Sequence, residues 1–233
     1  MVSLIGWLDG LTASAVIFMA IIFGILSFYQ SKKLGAKLLG IAGIMMIFSG
    51  LLYLGPFIDF MSLVSTGTNM DNSFGLYGIL SYFWITPAII PAMYLGAEMI
   101  IAEKKWIIVG IIVALGIVFE LLLFIFPNNT FDFVNNNPGE VLIDASFNIL
   151  FPTFFLAAGF LIAVLIFLGG GFAMKAKQAS GELKRKFIYL SVAFITFVAS
   201  GIFEALLSPG IGLFIVRSGM IIYAALVFLG LKT

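Results

Sequence analysis

Residues 187–232 read FIYLSVAFITFVASGIFEALLSPGIGLFIVRSGMIIYAALVFLGLK, two apolar runs (187–208 and 211–231) joined at Ser208-Pro209-Gly210. At about 1.5 Å per residue each run is long enough to cross a hydrocarbon core of about 30 Å. A Pro-Gly pair between them predicts a tight turn, so the stretch is expected to be a transmembrane helical hairpin. Each arm carries one charge, Glu204 on the first and Arg217 on the second. Counted from the turn they lie about 7 Å and about 12 Å deep, a difference that a guanidinium stem can close. An ion pair within the membrane is therefore expected. A lone charge at mid-bilayer costs about 2.5 to 3.5 kcal/mol, so such residues face partners or water.

The rest of the chain fits the hairpin. Of 233 residues 62% are hydrophobic and only 10% are charged, against about 25% charged in soluble domains. Mean hydropathy is +1.20. This is the composition of an integral membrane protein. There is no cysteine and no histidine, which removes disulfides, thiolate chemistry, imidazole bases and most zinc or copper sites. No cofactor and no metal-ligating set is assigned, and nothing points to nucleic acid. The N-terminus lacks the basic segment and small-residue cleavage site of a signal peptide, so the first run is expected to remain as a span.

Continuous apolar runs predict an all-α integral membrane fold, a single seven-helix transmembrane domain over 1–233. The spans run roughly 4–29, 38–63, 74–102, 106–127, 145–174, 187–208 and 211–231. Lys32, Lys33 and Lys37 occupy loop 1, Lys104 and Lys105 loop 3, Lys175, Lys177, Lys184, Arg185 and Lys186 loop 5, and Lys232 the end. The even-numbered loops have no Lys or Arg. The positive-inside rule then places the N-terminus outside and the C-terminus in the cytoplasm of a multi-pass cell-membrane protein. No segment is large enough for a soluble domain, so signalling output is expected from a separate partner. Asn128-Asn129-Thr130 on the outer side fits a glycosylation acceptor or an ordinary polar loop equally well.

Buried polar residues gather toward one side. Asp9, Asp59, Glu120, Asn148, Glu204 and Arg217 all fall in the expected outer half, whereas the inner half has only Glu98, which can reach Lys104 or Lys105. Spans 2, 4 and 6 each place an acid after phenylalanine: Phe57-Ile58-Asp59, Phe119-Glu120 and Phe203-Glu204. In span 3, Trp84, Pro87, Pro91, Tyr94 and Glu98 recur at spacings of three and four along one stripe. Its two prolines each delete a backbone hydrogen bond, which predicts a bend between Thr86 and Pro91. Pro56 and Pro152 raise the same expectation in spans 2 and 5. Gly169-Gly170-Gly171 reads as a hinge or a close helix contact. Gly40, Gly43 and Gly50, and Gly201 with Ala205, read as small-residue packing faces.

An outward-facing acidic cavity built from Asp9, Asp59, Glu120, Asn148, Glu204 and Arg217, with Trp84 and Tyr94 from span 3, is thus expected. It would take a cationic small ligand, a metal ion or a proton. The 175–186 loop meets anionic headgroups or a cytoplasmic partner. No span carries a mid-membrane lysine for a retinal Schiff base, and no hydrolase signature occurs, so an enzyme is not expected.

Three stretches are similar to one family. The run Ile85-Thr86-Pro87 to Gly96, the basic Glu182-Leu183-Lys184-Arg185-Lys186 segment feeding span 6, and Arg217 followed by Ile221-Ile222-Tyr223 together resemble the seven-helix sensor regions at the N-termini of some prokaryotic histidine kinases, and similar free-standing archaeal proteins. The resemblance implies a sensory role. It departs from the kinase pattern in lacking a cytoplasmic domain, and no binding residue is carried over from it. The expectation from sequence is a receptor-like or sensory protein. The alternatives are a small transporter or channel for protons, cations or an amine, and a structural subunit of a complex.

Overall fold

The computed structural model describes residues 1–134, 137–208 and 210–231. Pro209 and Lys232, which bear on the expected tight turn and basic end, lie outside the described residues. The helices are α1 (Leu4–Leu34), α2 (Lys37–Leu51), α3 (Leu54–Thr66), α4 (Leu76–Tyr82), α5 (Ile85–Ile100), α6 (Lys105–Ile125), the short α7 (Pro127–Thr130), α8 (Pro152–Val164), α9 (Gly171–Gln178), α10 (Gly181–Glu204) and α11 (Ile211–Leu231). Among the described residues six helical stretches are long and apolar enough to cross a membrane. A seventh appears if α2 and α3, bent by 46°, are one span. The fold is an all-α, multi-pass membrane bundle.

The broken spans follow from their prolines and glycines. Pro56 occupies the first turn of α3, where its missing N–H costs nothing, but it leaves the carbonyl of Leu52 without the helical donor that would continue α2. The break falls at Leu52-Tyr53. Span 3 is interrupted at Phe83-Trp84, four residues before Pro87 and just ahead of the expected bend, because Pro87 offers no N–H to Phe83. Span 5 begins at Pro152 rather than near residue 145. Residues 144–147 instead form strand β2 (Asp144–Phe147), antiparallel to β1 (Phe131–Val134), with Phe131 opposite Phe147 and Val134 opposite Asp144. Asn148 turns the chain by accepting the Leu150 N–H at 3.0 Å. Between α8 and α9, Leu165–Gly170 winds as a π-helix. Ser191 of α10 donates to the carbonyl of Gly169 at 2.8 Å, satisfying a carbonyl that the wider winding displaces.

Glycine brings α1 and α2 together. The backbones cross at Gly24 and Gly43, where any Cβ would meet the carbonyl of the other helix, and Gly50 faces Ala20 one crossing further on. Gly55 packs against Ser81 and the Tyr77 carbonyl of α4 in the same way. One end of the bundle holds the β-hairpin and the 67–75 and 137–143 loops. The other holds the lysine-rich 31–37, 101–105 and 175–186 junctions. At that lysine end Glu98 pairs with Lys105 at 2.5 Å, one of the two partners expected for it.

Candidate functional site

At the hairpin end α1, α10 and α11 converge on Arg217, which is 4% exposed. Its Nε donates to Glu204 Oε1 at 3.0 Å and Nη2 approaches the same oxygen at 2.9 Å, so the ion pair expected across the 187–232 stretch is present. The other Glu204 oxygen accepts from the Tyr53 hydroxyl at 3.3 Å, and the guanidinium carbon sits 5.6 Å from the Tyr53 ring centroid. Nη1 donates to the backbone carbonyl of Asp9 at 2.8 Å but stands 3.9 Å from its carboxylate. Asp9 is 1% exposed. The Gly210 backbone faces its carboxylate, and among the described residues neither oxygen has a hydrogen-bond partner of good geometry.

These groups form the polar end of a cavity of about 480 Å³, the size of a small-molecule site. Asp144, Tyr53, Tyr77 and Ser81 complete that end. Below it the walls are mostly apolar, with Ile85 and Ala92 of α5, Ala157, Leu161 and Val164 of α8, Leu165 at the start of the π-helical turn and Phe194 of α10; the Ser49 and Tyr223 hydroxyls, 3.5 Å apart, are the polar groups there. Three carboxylates, those of Asp9, Asp144 and Glu204, thus share the cavity with one guanidinium. Burial pushes the Asp144 carboxyl above the ordinary carboxylate range; Arg217 pulls it down and Glu204 pushes it further up.

Leu142, Ile143 and Asp144 roof the cavity, and Asp59 holds that roof. Asp59 is fully buried. Its carboxylate accepts from the Met70 N–H at 2.8 Å, the Ile143 N–H at 2.8 Å and the Asn69 side chain at 2.9 Å. The Asn69 amide also donates to the Val141 carbonyl, and its oxygen accepts from the Gly139 N–H. The loop is further clasped to the start of α1, where the Ser3 N–H and hydroxyl both donate to the Glu140 carbonyl.

The residues singled out from sequence therefore divide. Asp9, Glu204 and Arg217 line the cavity. Asp59 lies outside it as a loop anchor, because the 67–75 and 137–143 segments return over α3 and supply its donors. Glu120 is also outside. It faces the side chain and backbone of Thr86 of α5, and among the described residues both its buried oxygens lack a hydrogen-bond partner of good geometry. Asn148 serves the turn into α8. Trp84 stacks on Phe48 at 5.8 Å, and Tyr94 lies between Trp106 and Lys105. The stripe that α5 presents to the cavity is the adjacent one, Ile85, Ala88, Ile89 and Ala92. Gly201 and Ala205, expected as a packing face, line the cavity near Leu161. Sequence reasoning missed Tyr53, Tyr77, Ser81 and Asp144. The pairs Ser49/Tyr53 and Tyr77/Ser81, each four apart, were the available signal.

Fold and site together define a multi-pass helical membrane protein with a roofed, amphipathic cavity at one end of its bundle. The chain matches no protein-family model, and no curated protein shows a significant match to it.

Proposed function

We propose that the protein is a seven-span, receptor-like or sensory protein of the cell membrane, whose ligand occupies the cavity beneath the 137–147 roof. The bent α2–α3 pair counts as one span. The lysine-rich junctions then face the cytoplasm and the hairpin end faces outward, as the positive-inside rule requires. The observation that carries the reading is the route below the cavity. Its wall includes Leu165, the first residue of the π-helical turn, and that turn continues into α9 and the basic 175–186 junction. An occupant that changes the packing at Leu165 acts on an element with more than one winding within reach. The family resemblance of the span 3, span 6 and span 7 stretches supports the same role. A partner would read the 175–186 junction.

Transport requires a polar route to the lysine end. There Glu98 is tied to Lys105, and among the described residues the lower cavity walls carry no charged group, their polar atoms being the Ser49 and Tyr223 hydroxyls. Proteoliposomes carrying an entrapped pH dye under an imposed potassium diffusion potential should therefore stay as tight as protein-free vesicles. A proton leak abolished by Asp9→Asn would contradict the sensory reading and establish transport. In inside-out vesicles, Ala157→Trp, which fills the cavity, should change the rate of tryptic cleavage at Lys184–Lys186 severalfold. An unchanged rate would contradict the coupling.

A further inference from the structure

The seam between α8 and α10 differs from the other walls. Leu161 meets Gly201 across it, where a Cβ on Gly201 would stand 3.3 Å from the leucine side chain. Beside that contact Ile162 and Ile202, and at the hairpin ends of the two helices Ile149 and Leu206, line the cavity and are also exposed, Ile149, Ile162, Ile202 and Leu206 at 64%, 57%, 47% and 73%. Residues that face both sides of a wall mark an opening through it. All four are aliphatic, so the opening gives onto the lipid-facing surface rather than onto water. Toward the hairpin end the cavity is lined by the Leu142–Asp144 roof that Asp59 and Ser3 fasten. Along α8 and into the π-helical turn the wall is hydrocarbon from Leu161 to Leu165, and across the cavity the Ser49 and Tyr223 hydroxyls face each other at 3.5 Å.

At the polar end the charges do not balance. Glu204 uses its charge on Arg217, while the Asp9 carboxylate is 1% exposed, borders the cavity, and among the described residues has no hydrogen-bond partner for either oxygen, Arg217 Nη1 standing 3.9 Å away. Asp144 adds a second carboxylate beside it. A buried carboxylate in this position needs a donor carrying positive charge. An anionic headgroup would meet three carboxylates against one guanidinium already in use.

Resting on the proposed ligand site, we propose that its occupant is a membrane-borne cationic amphiphile, a long-chain primary amine. The ammonium donates to Asp9 and faces Asp144. The hydrocarbon tail passes between α5, α8 and α10 toward the π-helical turn, and the molecule arrives sideways from the bilayer through the α8–α10 seam. A soluble amine lacks the tail that fills the apolar length, and a fatty acid carries the wrong charge.

The test uses the full chain in phosphatidylcholine nanodiscs with a nitroxide-labelled long-chain amine, read by electron paramagnetic resonance as a motionally restricted component beyond that of ordinary lipid. Dodecylamine should displace the probe at least tenfold more effectively than dodecanol. Dodecanoate and ethylamine should not displace it. Asp9→Asn should abolish the preference of amine over alcohol while the thermal midpoint shows the variant folded. Ile202→Trp, which narrows the seam, should slow displacement without changing its extent, and Gly201→Trp should do the same if it folds. The proposal is overturned if no restricted component forms, if dodecanoate or ethylamine competes as well as dodecylamine, or if Asp9→Asn keeps the amine preference. Should the amine fail to bind while Ala157→Trp still alters cleavage at Lys184–Lys186, the ligand class falls and the sensory reading stands.

Discussion

Arg217 and Asp59 are both buried and both hold charge, yet they do different work. Arg217 ties α11 to α10 through Glu204 and to α1 through the Asp9 carbonyl. Removing one partner of a buried pair strands the other, at a cost of about 3 to 5 kcal/mol, while exchanging both is far milder. Thermal unfolding of Glu204→Gln, Arg217→Gln and the double variant should therefore show coupling of about 2 kcal/mol, and additive losses would refute the pair. The charge reversal Glu204→Arg with Arg217→Glu should recover part of what either single change loses. Asp59→Ala leaves the Met70 and Ile143 N–H groups unpaired and should destabilise by about 3 kcal/mol, with faster proteolysis of the 137–143 loop. Glu120 is the opposite case. Among the described residues its oxygens have no well-formed donor and no cation beside them, only Thr86 facing them, so Glu120→Gln removes a poorly compensated charge and should hold or raise the thermal midpoint. A fall of several degrees would show that the carboxylate is in use.

At the scale of elements, apolar length was legible and interruption was partly so. The spans appear where the apolar runs are, and the breaks in spans 2 and 3 sit where Pro56 and Pro87 remove a donor. The expected hinge at Gly169-Gly170-Gly171 coincides with the end of the π-helical turn and with the Ser191 bond to Gly169. Ser191→Ala removes that bond from the apolar interior and should cost about 0.6 kcal/mol, in line with interhelical side-chain bonds in membranes. No change in midpoint would show the turn held by packing alone. Two things were hidden. Asp144-Ala145-Ser146-Phe147 reads as the start of a helix, but its pairing with Phe131–Val134 is non-local and outweighs propensity. The rotation of α5 was also hidden, because the Trp84–Glu98 stripe and the neighbouring Ile85–Ala92 stripe are equally periodic. Only the position of α6, with Trp106 against Tyr94, decides which of them turns toward the cavity.

Across the whole molecule, charge is segregated. The lysines lie at one end; Asp9, Asp59, Asp144 and Glu204 lie toward the other. That polarity could be read directly from the sequence, but the membership of the site could not. Glu120 and Asp59 share depth with Asp9 and Glu204, and depth carries no information about which way a side chain faces. Because the chain has no cysteine, single replacements report sidedness cleanly. In intact cells Asp132→Cys should react with a membrane-impermeant maleimide and Lys184→Cys should not; the reverse pattern would invert the orientation. The central claim is that a filled cavity acts on the lysine end through the π-helical turn. Its most direct test is the distance between spin labels at Gln178→Cys and Lys33→Cys in bilayer nanodiscs, compared with and without the cavity-filling Ala157→Trp. The distance should shift or redistribute in the filled protein; superimposable distributions would mean that the cavity and the lysine end are not coupled.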